Sequence, residues 1–112
     1  MVPEALALAY LDAVSVNELD RLDDLVAPDV RFATPATTLT GLPDLVAAFR
    51  RIRSVHVRSD VRRVFSDGDD VCVIYDFVTD LFGTIPTVEW IRVAAGRIQA
   101  ITVYYDRQAW LS

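Results

Sequence analysis

Lysine is absent from this 112-residue chain, cysteine and histidine occur once each, and no apolar run approaches the length of a membrane span. Each scarcity closes a class of function. With Cys72 alone there is no intramolecular disulfide and no cysteine-built zinc site. With His56 as the sole imidazole most other metal sites lose their ligands, so no metal is expected. A spanning helix needs about 20 consecutive apolar residues, so no membrane segment is expected either. The opening MVPEALALAY carries Glu4 where a secretory leader would be basic, which points to a cytoplasmic protein. The basic residues, all arginine, number 11 against 16 acids, for a net charge of -5. That sign argues against a nucleic-acid partner, which requires a basic face.

What is present is apolar: 53% of residues are hydrophobic and 24% charged, enough for one core and too short a chain for two. A single domain over 1–112 is expected. Pro3 suits a first helical turn, and Leu6, Tyr10, Ala13 and Val14 then share one face of a first helix. Asn17 reads as the N-cap of a second helix carrying Leu19, Leu22, Leu25 and Val26 and ending at Pro28. A short extended piece, Val30 to Thr34, leads through a Pro/Thr/Gly-rich loop to a third helix opened by Pro43, with Leu45, Val46, Phe49 and Ile52 on it. Strands follow: Val55 to Phe65, a turn at Ser66 to Asp69, Val71 to Thr79, an irregular link, Thr87 to Val93, and Arg97 to Tyr105 after Gly96. Helices followed by an antiparallel meander make an α+β fold. A sheet that curls over its helices leaves a hollow at its open end.

The stretch YLDAVSVNELDRLDDLVAPDVRFATP resembles the opening of the SnoaL-like polyketide cyclases and ketosteroid isomerases, within the nuclear transport factor two-like superfamily. TGLPDLVAAFRRI resembles their glycine-led third helix, and HVRSDVRRVFSDGDDVCVIYDF and GRIQAITVYYD resemble their hairpin and last strand. The resemblance runs from about Leu8 to Trp110. It implies a cone-shaped, curved antiparallel sheet wrapped around three N-terminal helices, enclosing a pocket for a small apolar organic molecule, with no cofactor. It also implies roles. Tyr10 falls at the oxyanion-hole tyrosine of the isomerases, and Glu89 at their protonated acid that donates to the same oxygen. Thr34 stands in place of their general base and cannot accept a proton near neutral pH.

Strand alternation, with the family's inward face, assigns the cavity. Glu89, Ile91 and Val93 share one inward set, and Ile101, Val103 and Tyr105 another. On the central strand the expected inward set is Cys72, Ile74, Asp76 and Val78; a one-residue slip would reverse it. Asp76 or His56 then replaces the missing base, although His56 equally suits a hydrogen bond to Asp60 or to backbone. Arg58 suits either Asp76, an anionic ligand group or plain solvent, and Phe49 and Thr34 complete the expected lining. Tyr10 is read with equal weight as an oxyanion donor or as core. Val71, Val73, Tyr75 and Phe77 would face outward, an apolar patch suggesting a homodimer through the outer sheet face. Three functions stay open: an isomerase or cyclase acting by proton transfer on an apolar polyketide- or steroid-like carbonyl compound, a non-catalytic module that binds a small apolar ligand, and a dimerising association domain. An epoxide also remains open as the reacting group.

Overall fold

The structure is a computed structural model that describes residues 1–110; Leu111 and Ser112, the last positions of the expected domain, lie outside the described residues. Helix α1 spans Pro3–Ser15, with Pro3 in its first turn and Glu4 beside the positive end of the helix dipole. It stops at Asn17, whose φ of 60° is left-handed. The Asn17 N–H donates to the Val14 carbonyl (3.2 Å) and the Glu18 N–H to that of Ala13 (2.8 Å). That pairing is a Schellman motif with Asn17 in the position glycine usually takes. Asn17 therefore terminates the first helix instead of capping a second.

The second helix is correspondingly short, a 3₁₀ turn at Leu19–Arg21 running into α2 at Leu22–Leu25. Strand β1, Val26–Ala33, begins well before the extended piece expected from Val30. It pairs antiparallel with β2, Thr38–Thr40, inside the segment expected to be loop. Helix α3 covers Leu42–Ile52, with Pro43 in its first turn as expected. Strands β3 (His56–Asp67), β4 (Asp70–Thr79), β5 (Thr84–Ala94) and β6 (Arg97–Tyr105) form the meander, and a 3₁₀ turn at Arg107–Trp110 follows.

The six strands make one curved, unclosed sheet in the order β2-β1-β6-β5-β4-β3. Every neighbouring pair is antiparallel except β1 with β6, which is parallel because the chain crosses over through α3 and the meander before β6 arrives. Register shifts interrupt β3 twice, β5–β6 once and β1–β6 once. Such irregularities bend a sheet, and here they curl it over the helices. Strand β3 is an edge, and its run of Arg58, Asp60, Arg62 and Arg63 keeps that edge solvated.

The core lies between helices and sheet. Leu6, Tyr10 and Ala13 of α1 and Leu42 and Leu45 of α3 meet Val30 and Phe32 of β1, Ile91 and Val93 of β5, and Ile98, Ile101 and Val103 of β6. On β4 the inward residues are Val71, Val73 and Tyr75, all buried, while Cys72, Ile74, Asp76 and Val78 are half-buried on the other side. The expected facing of the central strand is thus reversed. The uncharged alternating set covers the helices, because burying Val71, Val73 and Tyr75 removes more apolar surface than burying a set that contains Asp76. The patch expected to carry a homodimer is core instead. The outer face presents different large side chains, among them exposed Phe65, Trp90 and Tyr104.

Candidate functional site

A cavity of about 190 Å³ opens between α1, α3, β1 and the meander. This is small beside the roughly 300–1,000 Å³ of drug-sized sites, so it suits a compound of one or two rings. Its walls are mainly apolar and aromatic: Phe49 packs on Tyr10 (ring centroids 6.1 Å apart) and edge-on to Phe32 (5.9 Å).

Against that background stands one buried carboxyl. Glu89 is 4% exposed, and Tyr10 and Tyr75, 1% and 5% exposed, both donate to it. The Tyr10 hydroxyl reaches Oε1 at 3.0 Å and the Tyr75 hydroxyl takes Oε2. Burial pushes the carboxyl above its ordinary range, and the two tyrosine bonds pull it partly back. The same burial, and the neighbouring acid, hold both phenols well above theirs.

Counting hydrogens shows what each protonation state offers. With Glu89 ionised, two O–H groups meet two carboxylate oxygens and nothing is left to donate. With Glu89 neutral there are three O–H groups around those oxygens, so at least one is free to turn to a ligand oxygen. The neutral state is the one burial favours.

At another part of the wall His56, 8% exposed, stacks on Phe77 (4.4 Å, 19° between planes) and shares a hydrogen bond between Nε2 and Ser59 Oγ at 3.0 Å. Its expected partner Asp60 is held elsewhere, by Arg58. Desolvation lowers the His56 pKa, the nearby Arg53 charge lowers it further, and a backbone bond at Arg58 opposes them. The imidazole is therefore neutral near pH 7 and able to accept a proton.

Of the residues expected at the site, Tyr10, Glu89, His56, Phe49, Val103 and Tyr105 line the cavity. Ile91 and Ile101 face inward but sit in solid core away from it. Ile74 and Asp76 lie on the outer face with the reversed set, where Asp76 pairs with Arg62 at 3.4 Å. Arg58 is exposed on edge strand β3, where its Nε meets Asp60 at 3.0 Å and it reaches neither Asp76 nor the cavity wall. Thr34 does not line the cavity; its Oγ1 accepts the N–H groups of Ala36 and Thr37 (3.1 Å each) and closes the turn before β2. Tyr75, Phe77 and Arg53 were missed. The first two follow from the reversed face of β4, whose legible signal was that the alternate set Val71, Val73, Tyr75, Phe77 carries no charge.

The SnoaL-like domain family matches residues 7–101. The chain belongs to that family. No curated protein matches it. A nuclear transport factor two-like protein of unknown function from Cytophaga hutchinsonii superposes with a TM-score of 0.89 at 19% identity, covering 100% of this chain and 96% of its own. A candidate ketosteroid isomerase from Kribbella flavida gives 0.85 at 21% identity, over 94% and 78% of the two chains. A candidate polyketide cyclase from Sinorhizobium meliloti gives 0.80 at 20%, over 88% and 93%. These likenesses bear out the α+β fold of a curved sheet wrapped on helices. Among the described residues no helix is long and apolar enough to cross a membrane, and no cluster of three metal-ligating side chains occurs.

Proposed function

We propose that this SnoaL-like domain is an isomerase or cyclase that moves a proton on a small, mostly apolar carbonyl compound. The observation that carries the reading is Glu89, a carboxyl buried in an apolar cavity and held by two tyrosine hydroxyls. The substrate's carbonyl oxygen accepts from the freed O–H of the Tyr10–Glu89–Tyr75 cluster. His56 takes a proton from the adjacent carbon. The charge that develops on oxygen is met by donors already in place, and the imidazolium returns the proton at another carbon. The reaction needs only these protein groups. The names of the Kribbella flavida and Sinorhizobium meliloti proteins agree with chemistry of this class.

The binding-module reading is favoured by a different fact: Thr34, in place of the family's base, cannot accept a proton, and Asp76, one of the two expected replacements, is absent from the cavity wall. Proton exchange separates the two. Enolisable ketones such as acetophenone and tetralone are incubated with the protein in deuterated water and followed by proton NMR. Exchange above the buffer rate supports the isomerase; binding with no exchange on any compound leaves the module.

A further inference from the structure

The chain is acidic overall, yet on the cavity wall, where His56 and the buried Glu89 are neutral, the charged side chain is Arg53. Arg53 follows α3 and reaches back to the end of α1, where Nη1 donates to the Ser15 carbonyl at 3.2 Å. A helix C-terminus is a favourable but weak partner for a cation, so the guanidinium is held in place without being neutralised. It has no carboxylate partner among the described residues, whereas Arg21, Arg58, Arg62 and Arg92 each have one.

Trp110, which also lines the cavity, carries a second donor. Its ring is fixed by Phe77, Phe82 and Tyr105, with centroids 5.5, 5.4 and 6.0 Å away. Its indole N–H is buried and meets no hydrogen-bond partner, and the side chain that carries it lines the cavity. Buried N–H groups are almost always paired, so an orphan on a side chain that lines a cavity marks where a ligand acceptor belongs. Several other polar groups there have protein partners: Tyr10 and Tyr75 bond to Glu89, His56 to Ser59, and Thr87 Oγ1 to the Ile85 carbonyl.

We propose that Arg53 and the Trp110 indole N–H receive a carboxylate, so that the ligand is a small apolar acid with a ketone at one end and its carboxylate at the other. The ketone end rests on the reading given above; the carboxylate end stands on Arg53 and Trp110. Such a ligand has a second effect. Its negative charge cancels the field that Arg53 exerts on His56, making the imidazole a stronger base only when the acid is bound.

The test uses benzoylpropionate, benzoylbutyrate and benzoylvalerate, three lengths of aryl keto acid, each beside its neutral amide. Calorimetry on the full chain is expected to show the best-fitting acid binding about 2–5-fold tighter than its amide, the scale of one ion pair with an exposed arginine. Arg53→Gln keeps a donor for the Ser15 carbonyl, and there the preference disappears while the amide's affinity stays. Trp110→Phe keeps the ring contacts and removes part of the preference. Because His56 is the sole histidine, its NMR titration reports the site directly, and its midpoint rises with the acid and not with the amide. Equal binding of acid and amide by the wild type, or a preference that survives Arg53→Gln, overturns the proposal. If the amides bind and Glu89→Ala weakens them, the ketone reading stands without the carboxylate; if none of the six compounds binds, both fall.

Discussion

The hydroxyl of Tyr10 on α1 donates to Oε1 of Glu89 on β5 across 79 positions of sequence and 3.0 Å of space. This contact ties the first helix to the sheet on the cavity wall. Only a neutral Glu89 leaves a hydrogen for a substrate oxygen, so the side chain at 89 must donate. Glu89→Gln retains a donor of nearly the same shape, while Glu89→Ala removes it. In the proton-exchange assay the alanine variant is expected to lose about 10²-fold or more, the scale of one deleted oxyanion-hole donor, and the glutamine variant far less. Equal losses would remove the donor role from Glu89.

Two buried groups of the cavity wall, Glu89 and His56, give opposite pH signatures. The Glu89 carboxyl is raised from 4.5, mainly by burial, so its contribution to stability is complete below 4.5 and fades as pH rises through the folded value. His56 is lowered from 6.5, by burial and Arg53, so its contribution is complete above 6.5 and fades as pH falls through the folded value. In the wild type the two slopes oppose. Urea midpoints measured from pH 4 to pH 8 are expected to fall with rising pH in His56→Gln, where Glu89 acts alone. In Glu89→Gln they should fall with decreasing pH. Identical profiles in the two variants would show that neither group is perturbed.

The reversed face of β4 sets a third expectation. Asp76 lies on the outer face beside Arg62, half-buried, and its side chain cannot reach a ligand on the helix side of the sheet. Asp76→Asn should therefore exchange protons at the wild-type rate, whereas His56→Gln should lose about 10²-fold or more if the imidazole is the base. Loss of exchange in Asp76→Asn with an unchanged melting temperature would put the acid back in the reaction.

The errors and successes of sequence reading here have physical origins. Glu89, Val103 and Tyr105 were placed correctly because β5 and β6 alternate cleanly along most of their length. Strand β4 is apolar on both faces, so period-two alternation alone does not orient it; the charge of Asp76 is the deciding mark, and the sequence reading places it inward as a candidate base. Asn17 is as good a helix stop as a helix start, and only the bonds from Asn17 and Glu18 back to Val14 and Ala13 distinguish the two. Strand β2 is a three-residue pairing with β1, with no periodicity of its own. Arg53 and Trp110 become neighbours of one cavity through tertiary packing, which no local pattern encodes.

The β5–β6 turn offers a test of the backbone that is independent of chemistry. Ala94 pairs with Arg97, leaving Ala95 and Gly96 as the two central residues, with φ of 51° and 77°. Two consecutive positive φ values define the type I′ hairpin, for which Asn-Gly is the favoured pair. Gly96 meets that demand freely. Ala95 carries a Cβ in the left-handed region, at a cost of about 1–2 kcal/mol, while asparagine tolerates it. Ala95→Asn is therefore expected to stabilise the chain by about 0.5–1 kcal/mol, raising the melting temperature by roughly 2–8 °C for a domain near this size. Ala95→Val should do the reverse, because a β-branched residue fits that region worst. Residue 95 is exposed and lies off the cavity wall, so benzoylbutyrate should bind all three proteins alike. If the asparagine variant melts no higher than wild type and the valine variant no lower, the turn does not hold residue 95 in the left-handed region.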